Sequence, residues 1–350
     1  MKIKEIIGYL ESIAPPALQE SYDNSGLLVG NKGKKAKGAI ICLDSTEEVI
    51  DEAIEKGCNL VIAHHPIIFK GLKRLTGNNY IERTVLKAIK NDIAIYAIHT
   101  NLDNVLENGV NSKIATLLNL EKTSVLAPKQ NLKKLEITVP VDNSDGVRKA
   151  LYEAGAGWSG REEEVSYASL GVRYNNGDGV PGLKIEFHFP ANATGSILGC
   201  LTELQSEIDL SYNIHAIENQ QTGVGSGLVG ELEEAMEEMD FLKMLKKNMD
   251  AGVVKYTALQ DKKIKRVALC GGSGGFLLPA AKAAGADIFI TADYKYHEYF
   301  DADGDLIIAD IGHYESEQFT KQLLFDILSD KFPNFALHLT EVNTNPVNYL

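Results

Sequence analysis

Apolar and polar positions alternate along the chain in two rhythms, and their succession predicts the elements. Apolar residues recur at helical spacing from Ile3 to Ile13, until Pro15-Pro16 ends the pattern. A turn-rich stretch, Tyr22 to Leu27, leads into a short strand. Ala39 to Leu43 reads as a strand, Thr46 to Lys56 as a helix closed by Gly57, and Asn59 to Ala63 as the strand completing a βαβ unit. A helix over 81–91, a strand over 93–98 and a helix over 109–119 continue the alternation. This succession predicts a mostly parallel sheet with helices on both faces.

The order changes near Pro128. Residues 134–139, 144–154, 166–174, 183–189, 193–204 and 211–217 read as strand, helix, strand, strand, helix, strand. That βαββαβ order is the ferredoxin-like split unit, which can stand as a domain of its own. Beyond an acidic stretch predicted as a helix over 231–249, strands over 265–270, 286–291 and 306–310 resume with a helix over 276–285. The predicted fold class is therefore α/β. A discontinuous domain, 1–130 with 231–350, is expected to build one mostly parallel sheet, and 131–230 an inserted α+β ferredoxin-like domain.

Composition narrows the classes. The 350 residues exceed what one core usually fills, and 44% hydrophobic with 24% charged residues describes an ordinary globular protein. Thirty-five basic against 48 acidic residues leave a net charge of −13, which argues against polymeric nucleic acid as a partner. No apolar run approaches the roughly 20 residues of a membrane helix, so no membrane partner is expected. The acidic, amphipathic start carries no signal-peptide pattern, and a cytoplasmic protein is expected. Cys42, Cys58, Cys200 and Cys270 form no close pair and read as reduced core thiols.

Chemistry gathers just past the ends of three apolar runs. Residues 59–63 lead into His64-His65-Pro66, 93–98 into His99-Thr100-Asn101-Leu102-Asp103, and 306–309 into Asp310-Ile311-Gly312-His313, with Glu317 one helical turn on. Ligands of open α/β sheets bind beyond the carboxyl ends of strands, so the three tips are predicted to share one crevice. Successive residues of an extended chain point to opposite faces and Pro66 holds His65 extended, so two ions explain the histidine pair better than one. His313 and Glu317, four apart, share a helix face. Taken singly, these features also fit surface histidines, a turn at Asp103 and a solvated helix start.

Together they fit a dinuclear centre of His64, His65, Asp103, His313 and Glu317. Glu317 would bridge and water would fill the remaining positions, since closed structural zinc sites use four Cys or His ligands. Two divalent ions per chain, of zinc, manganese or iron, are expected. His99, Asp293 and His297 are the candidates for moving protons, and Asp44 sits at a similar strand tip. The loop Gly271-Gly272-Ser273-Gly274-Gly275 reads either as a phosphate cradle at a helix start or as tight strand-to-helix packing. It lacks the lysine of a P-loop. Lys70, Lys73 and Arg74 form the basic cluster nearest a motif and read as a phosphate site or a solvated loop. His188, His215 and His338 read as structural.

Tyr22-Asp23-Asn24-Ser25-Gly26-Leu27, Ala63-His64-His65-Pro66, His99-Thr100-Asn101-Leu102-Asp103 and Gly312-His313-Tyr314-Glu315-Ser316-Glu317 resemble, in order, the signatures of the Nif-three-like dinuclear metal-centre family. Its members are also known as GTP cyclohydrolase I type two homologues. The insertion is similar to that of the longer bacterial members, whose extra domain resembles ferredoxin-like trimeric signalling and copper-tolerance proteins. The resemblance implies metal ligation by His64, His65, Asp103, His313 and Glu317, and a toroidal homohexamer. Tyr22 stands where the family typically has tryptophan. The implied activity is metal-dependent hydrolysis of a small molecule, such as cyclohydrolase-like attack on a ring carbon of a purine nucleotide. Phosphoester or cyclic-amide hydrolysis at the same centre, or a non-enzymatic hexameric metal-binding scaffold, are the alternatives.

Overall fold

The computed structural model describes residues 1–129, 131–158, 164–175 and 178–350. The chain divides into two compact units, Met1–Ala127 with Gly223–Leu350, and Pro128–Thr222.

In chain order the first unit begins with α1 (Ile3–Ile13), β1 (Gly26–Val29), β2 (Ala39–Cys42), α2 (Glu47–Glu55) and β3 (Leu60–Ala63). It continues with α3 (Tyr80–Lys90), β4 (Ala94–Ala97), α4 (Thr100–Asp103), α5 (Val110–Leu117) and β5 (Leu120–Pro128). The second unit holds β6 (Leu132–Pro140), α6 (Ser144–Glu153), β7 (Tyr167–Asn175), β8 (Asp178–Pro190), α7 (Thr194–Glu207) and β9 (Ser211–Ala216). The first unit resumes with β10 (Gly225–Glu237), α8 (Glu238–Asn248), β11 (Lys255–Tyr256), β12 (Lys263–Leu269) and α9 (Leu278–Ala283). It ends with β13 (Ile288–Thr291), β14 (Ile307–Asp310), α10 (His313–Glu317), α11 (Thr320–Lys331) and β15 (Leu337–Leu339).

Where one sheet was expected, the first unit builds two, ordered β1-β4-β3-β2-β15 and β11-β14-β13-β12-β10-β5. Strands β2, β3, β4 and β15 run parallel, as do β12, β13 and β14, while β1 and β10 pair antiparallel. Short apolar runs reveal that strands exist but not which of them pair. The flanking segments are interlocked: β15 aligns Leu337 with Ala39 of β2, and β5 neighbours β10.

Alternate residues of each central strand serve different cores, as the two-residue repeat requires. Ile41, Ile62 and Tyr96 of the first sheet and Leu269, Ile290 and Ala309 of the second share one core with α1, α5, α8 and α11. Ile40, Val61 and Ile95 turn to the opposite face, under α2 and α3. Ala268, Phe289 and Ile308 do the same beneath α9. The middles of these strands are therefore apolar on both faces, and their chemistry falls to the residues at and after their ends.

The helix expected over 231–249 starts only at Glu238, and residues 225–237 form β10. The acidic residues that suggested a helix instead make cross-strand pairs: Glu231 accepts from Arg266 Nη1 at 3.0 Å and pairs with Lys122 at 3.1 Å. Residues 223–230 accordingly belong to the first unit, not to the insertion.

The second unit is an antiparallel sheet ordered β7-β8-β6-β9, the order of a split βαβ fold. Leu135, Ile137 and Val139 of β6 pack under Val147, Leu151, Ile197 and Leu201 of its two helices. Among the described residues, no helix of the chain is long and apolar enough to cross a membrane. All four cysteines are free, with Cys42, Cys58 and Cys270 buried and Cys200 half-buried.

Candidate metal centre

The parallel strands of both sheets end at one place. From the first sheet, β2 delivers Asp44, β3 delivers His64 and His65, and β4 delivers His99 with Asp103 at the end of α4. From the second, β12 delivers the glycine loop, β13 Asp293, and β14 the turn into α10, whose first and last residues are His313 and Glu317. Gly312, with φ 94°, makes the turn that starts this helix. The crevice thus joins two sheets, which three apolar runs read in isolation do not reveal.

Glu317 sits at the middle and is 2% exposed. Its Oε2 accepts from His65 Nε2 at 2.9 Å and lies 3.1 Å from His313 Nε2, while Oε1 is 3.8 Å from His64 Nε2. His64 Nε2 is also 3.6 Å from Asp103 Oδ1. The donor atoms of His64, Asp103 and Glu317 form one group within 4.8 Å of one another, and those of His65, His313 and Glu317 form a second. One carboxylate therefore serves both groups.

Each of the four histidines at the centre has its Nδ1 tied back. Nδ1 of His64 donates to the Ile98 carbonyl at 2.8 Å, that of His65 to Asp44 Oδ1 at 2.7 Å, and that of His313 to Asp293 Oδ2 at 2.7 Å. His99 Nδ1 donates to Asp23 Oδ1 at 2.8 Å. Such partners fix ring orientation and leave Nε2 for an ion. His64 Nε2 and Asp103 Oδ1 are both buried and make no hydrogen bond. Buried polar atoms are rarely left so, and here a nitrogen lone pair and a carboxylate oxygen face the same gap. These donors fit a divalent cation of the zinc, manganese or iron class, and the shared carboxylate fits a pair of them.

The electrostatics of the protein atoms agree. Burial disfavours the charged His65 ring, but Asp44 and Glu317 outweigh it and hold the imidazolium up to about 10. For His313, Asp293 and Glu317 likewise overcome burial and raise it to about 11. Burial and the Glu317 charge push Asp103 up to about 7. Burial works upward on Glu317 too, yet the surrounding histidines hold it well below the usual carboxylate range. Positive charge is thus drawn to the positions an ion would take.

Of the candidates for proton transfer, His99 joins the centre: one ring nitrogen of it lies within 4.8 Å of those of His64 and His65. Asp293 stands behind His313 and orients it. His297 does not arrive. It is exposed, meets Tyr296 edge-on at 5.2 Å between ring centres, and belongs to a 3-10 segment beyond the strand tip.

The glycine loop resolves toward packing. Gly271 N donates to Asn111 Oδ1, Gly272 N to Ser316 Oγ and Gly274 N to Thr291 Oγ1, each at 2.9 Å, so these amides are engaged within the protein. Gly272 has φ 62° and a Cβ there would collide with Glu317 Oε1. The helix behind the loop is α9, preceded by a 3-10 turn over Gly275–Leu277. Lys70, Lys73 and Arg74 are exposed.

A cavity of about 450 Å³ opens onto His65, His99, Asp103, His313 and Glu317. Two of the residues that complete the site, Asp23 and Asp44, stand in or beside readable motifs. Phe69 and Phe276, which line the cavity, carry no sequence signal.

A family profile described as Duf34/NIF3 (NGG1p interacting factor 3) matches residues 1–346. A Bacillus subtilis relative named GTP cyclohydrolase 1 type 2 homolog is 34% identical, the match covering 99% of this chain and 98% of the relative. One of the same name from Halalkalibacterium halodurans is 33% identical, over 99% and 98%. Among solved structures, a Bacillus cereus protein related to NIF3 is similar with a TM-score of 0.82 and 34% identity, covering 100% of this chain and 99% of that one. A Staphylococcus aureus protein is similar with a TM-score of 0.81 and 31% identity, over 100% and 99%.

Proposed function

Since the chain belongs to the Duf34/NIF3 family, we propose that it is a hydrolase working through two divalent ions held by His64, Asp103 and Glu317 on one side and His65, His313 and Glu317 on the other. The observation that carries this reading is the shared Glu317 carboxylate, whose two oxygens face the two donor groups. When bound, such a pair of ions supplies Lewis-acid activation of water and of the bond under attack.

The chain's own residues supply the rest. Asp44 and Asp293 orient His65 and His313, and the Ile98 carbonyl fixes His64. His99 has its Nδ1 on Asp23, a carboxylate that burial pushes up but that hydrogen bonds from His99, Thr100 and Ser25 hold far below its ordinary value. A ring with an ionised carboxylate behind it and its other nitrogen toward the centre suits proton transfer at the reacting group. The relatives' name suggests opening of a purine ring, and a chamber beside the donors gives a substrate access. The homohexamer is part of the proposal. Contact between copies, though not their number, draws on the edge strand β7, which leaves Tyr167 81% and Leu170 74% exposed.

The test is metal analysis joined to an assay. Wild-type protein should hold about two zinc, manganese or iron ions per chain and consume the ultraviolet absorbance of a purine substrate. Glu317→Gln should lower occupancy at both positions, and Asp103→Asn mainly at one. Unchanged stoichiometry in both variants would sink the ligand assignment, and a fully loaded protein that opens no ring would remove the hydrolytic one.

A further inference from the structure

The chamber is lined by aromatic rings that come from four separate segments. Tyr22 precedes β1, Phe69 follows the histidine pair, Tyr80 begins α3 and Phe276 follows the glycine loop. Exposure is 62% for Tyr22, 60% for Tyr80 and 67% for Phe276, and Phe69 is exposed too. Rings of this size are normally covered, and their collection around one concavity marks a place where a ligand covers them. They also connect to the donors. Tyr22 and Phe69 lie 6.3 Å apart at an interplanar angle of 36°, Phe69 is 6.3 Å from His99, and His99 is 5.3 Å from both His64 and His65.

The charge of the chamber is equally selective. No lysine or arginine is among the described residues lining it. Its carboxylates, Glu20, Asp44, Asp103 and Glu317, already cancel the charge of two divalent ions. Away from the ions, whose open positions the reacting group would occupy, a phosphate tail needs arginine forks, lysines or free helix-start amides. The basic cluster at Lys70, Lys73 and Arg74 does not line the chamber, and the amides of Gly271, Gly272 and Gly274 are engaged within the protein. About 450 Å³ is within the range of small-ligand sites, roughly 300–1,000 Å³.

We infer that the chamber binds an uncharged planar heterocycle, a purine-type base or its nucleoside, stacked on the Tyr22, Phe69 and Phe276 rings, and that it holds no phosphate tail. This rests on the dinuclear reading and narrows its substrate class from nucleotide to base or nucleoside.

The experiment uses the full-length protein with metal content measured on the sample that is titrated. Guanosine, GTP and inorganic triphosphate are the probes in calorimetry. Guanosine should bind, GTP should bind no tighter, and triphosphate should fail to compete. Phe69→Leu and Phe276→Leu keep apolar bulk but lose the ring face, and each should weaken guanosine about tenfold at unchanged metal content and mass. Tenfold tighter GTP with competition by triphosphate would overturn the inference. So would unchanged guanosine affinity in both variants, including the case where only their assembly changes and the rings prove to be an interface between copies. A loaded wild type that binds no guanosine overturns the inference alone, whereas a wild type that holds no metal overturns the dinuclear reading together with it.

Discussion

His65 and His313 each hold two carboxylates, one on either nitrogen, and this arrangement predicts how metal and protons compete. With the rings raised to about 10 and 11, both are imidazolium near neutrality, and burial with the Glu317 charge favours the protonated form of Asp103. Metal ligands must shed those protons. Loading zinc near pH 7 should therefore release about two to three protons per chain, read by titration in weak buffer. Release of fewer than one would contradict the ligand set. The sign for the metal-free protein follows from the same shifts. Stability from the two rings is fully present below the ordinary value of 6.5 and is lost as pH rises through about 10 and 11. Metal-free protein should thus melt at lower temperature above pH 10, with the loaded form less affected. At this scale much of the site was legible, because each donor stands within five residues of the end of an apolar run or, like Glu317, one helical turn beyond such a residue. The aromatic lining was not, since Phe69 and Phe276 look like any core ring until the fold leaves them uncovered.

At the scale of elements, the glycine loop shows why a motif reading and a packing reading can share one sequence. Five residues rich in glycine before a helix suit an anion, yet here they let the end of β12 pass against Glu317. Gly272→Ala should cost about 1–2 kcal/mol from its left-handed backbone alone and displace the Glu317 carboxylate as well. The expected outcome is a lowered melting temperature together with loss of metal from both positions. A variant that melts lower but keeps both ions would mean that the loop is merely strained and does not position Glu317. Strands and helices were mostly readable from periodicity, while their pairing was not. Four-residue strands such as β2, β3, β13 and β14 are buried on both faces and carry no register information, so one sheet and two sheets predict the same pattern. Residues 231–237 are a strand for a related reason: Glu231 answers Arg266 and Lys122, and Glu237 answers Lys263, on neighbouring strands, partners that lie far off in sequence.

For the whole molecule, the division into two compact units predicts that they have separable tasks. The chain leaves the first unit at Ala127 and returns at Gly223, and Gln221 N donates to the Lys129 carbonyl at 3.3 Å, so the two crossings lie side by side. The first unit contains both sheets, their shared core and every donor of the centre. Residues 1–127 joined to 223–350 by a short glycine-serine linker should therefore fold and hold about two ions, because the loop replaced is already closed by its own ends. The excision must stop short of residue 223: removing residues through 230 would cut into β10, which pairs Leu228 with Leu269, and should yield insoluble protein. The same truncation separates assembly from ligation. Tyr167, Leu170 and Tyr174 crowd the exposed edge strand of the second unit, a surface that water tolerates poorly and a second copy would cover. On the proposed homohexamer, sedimentation of the intact protein should give six copies of the 38.2 kDa chain, and the truncated chain a smaller particle with its metal intact. An unchanged oligomer after excision would assign assembly to the first unit, and an apo, aggregated product would show that the centre depends on the insertion after all.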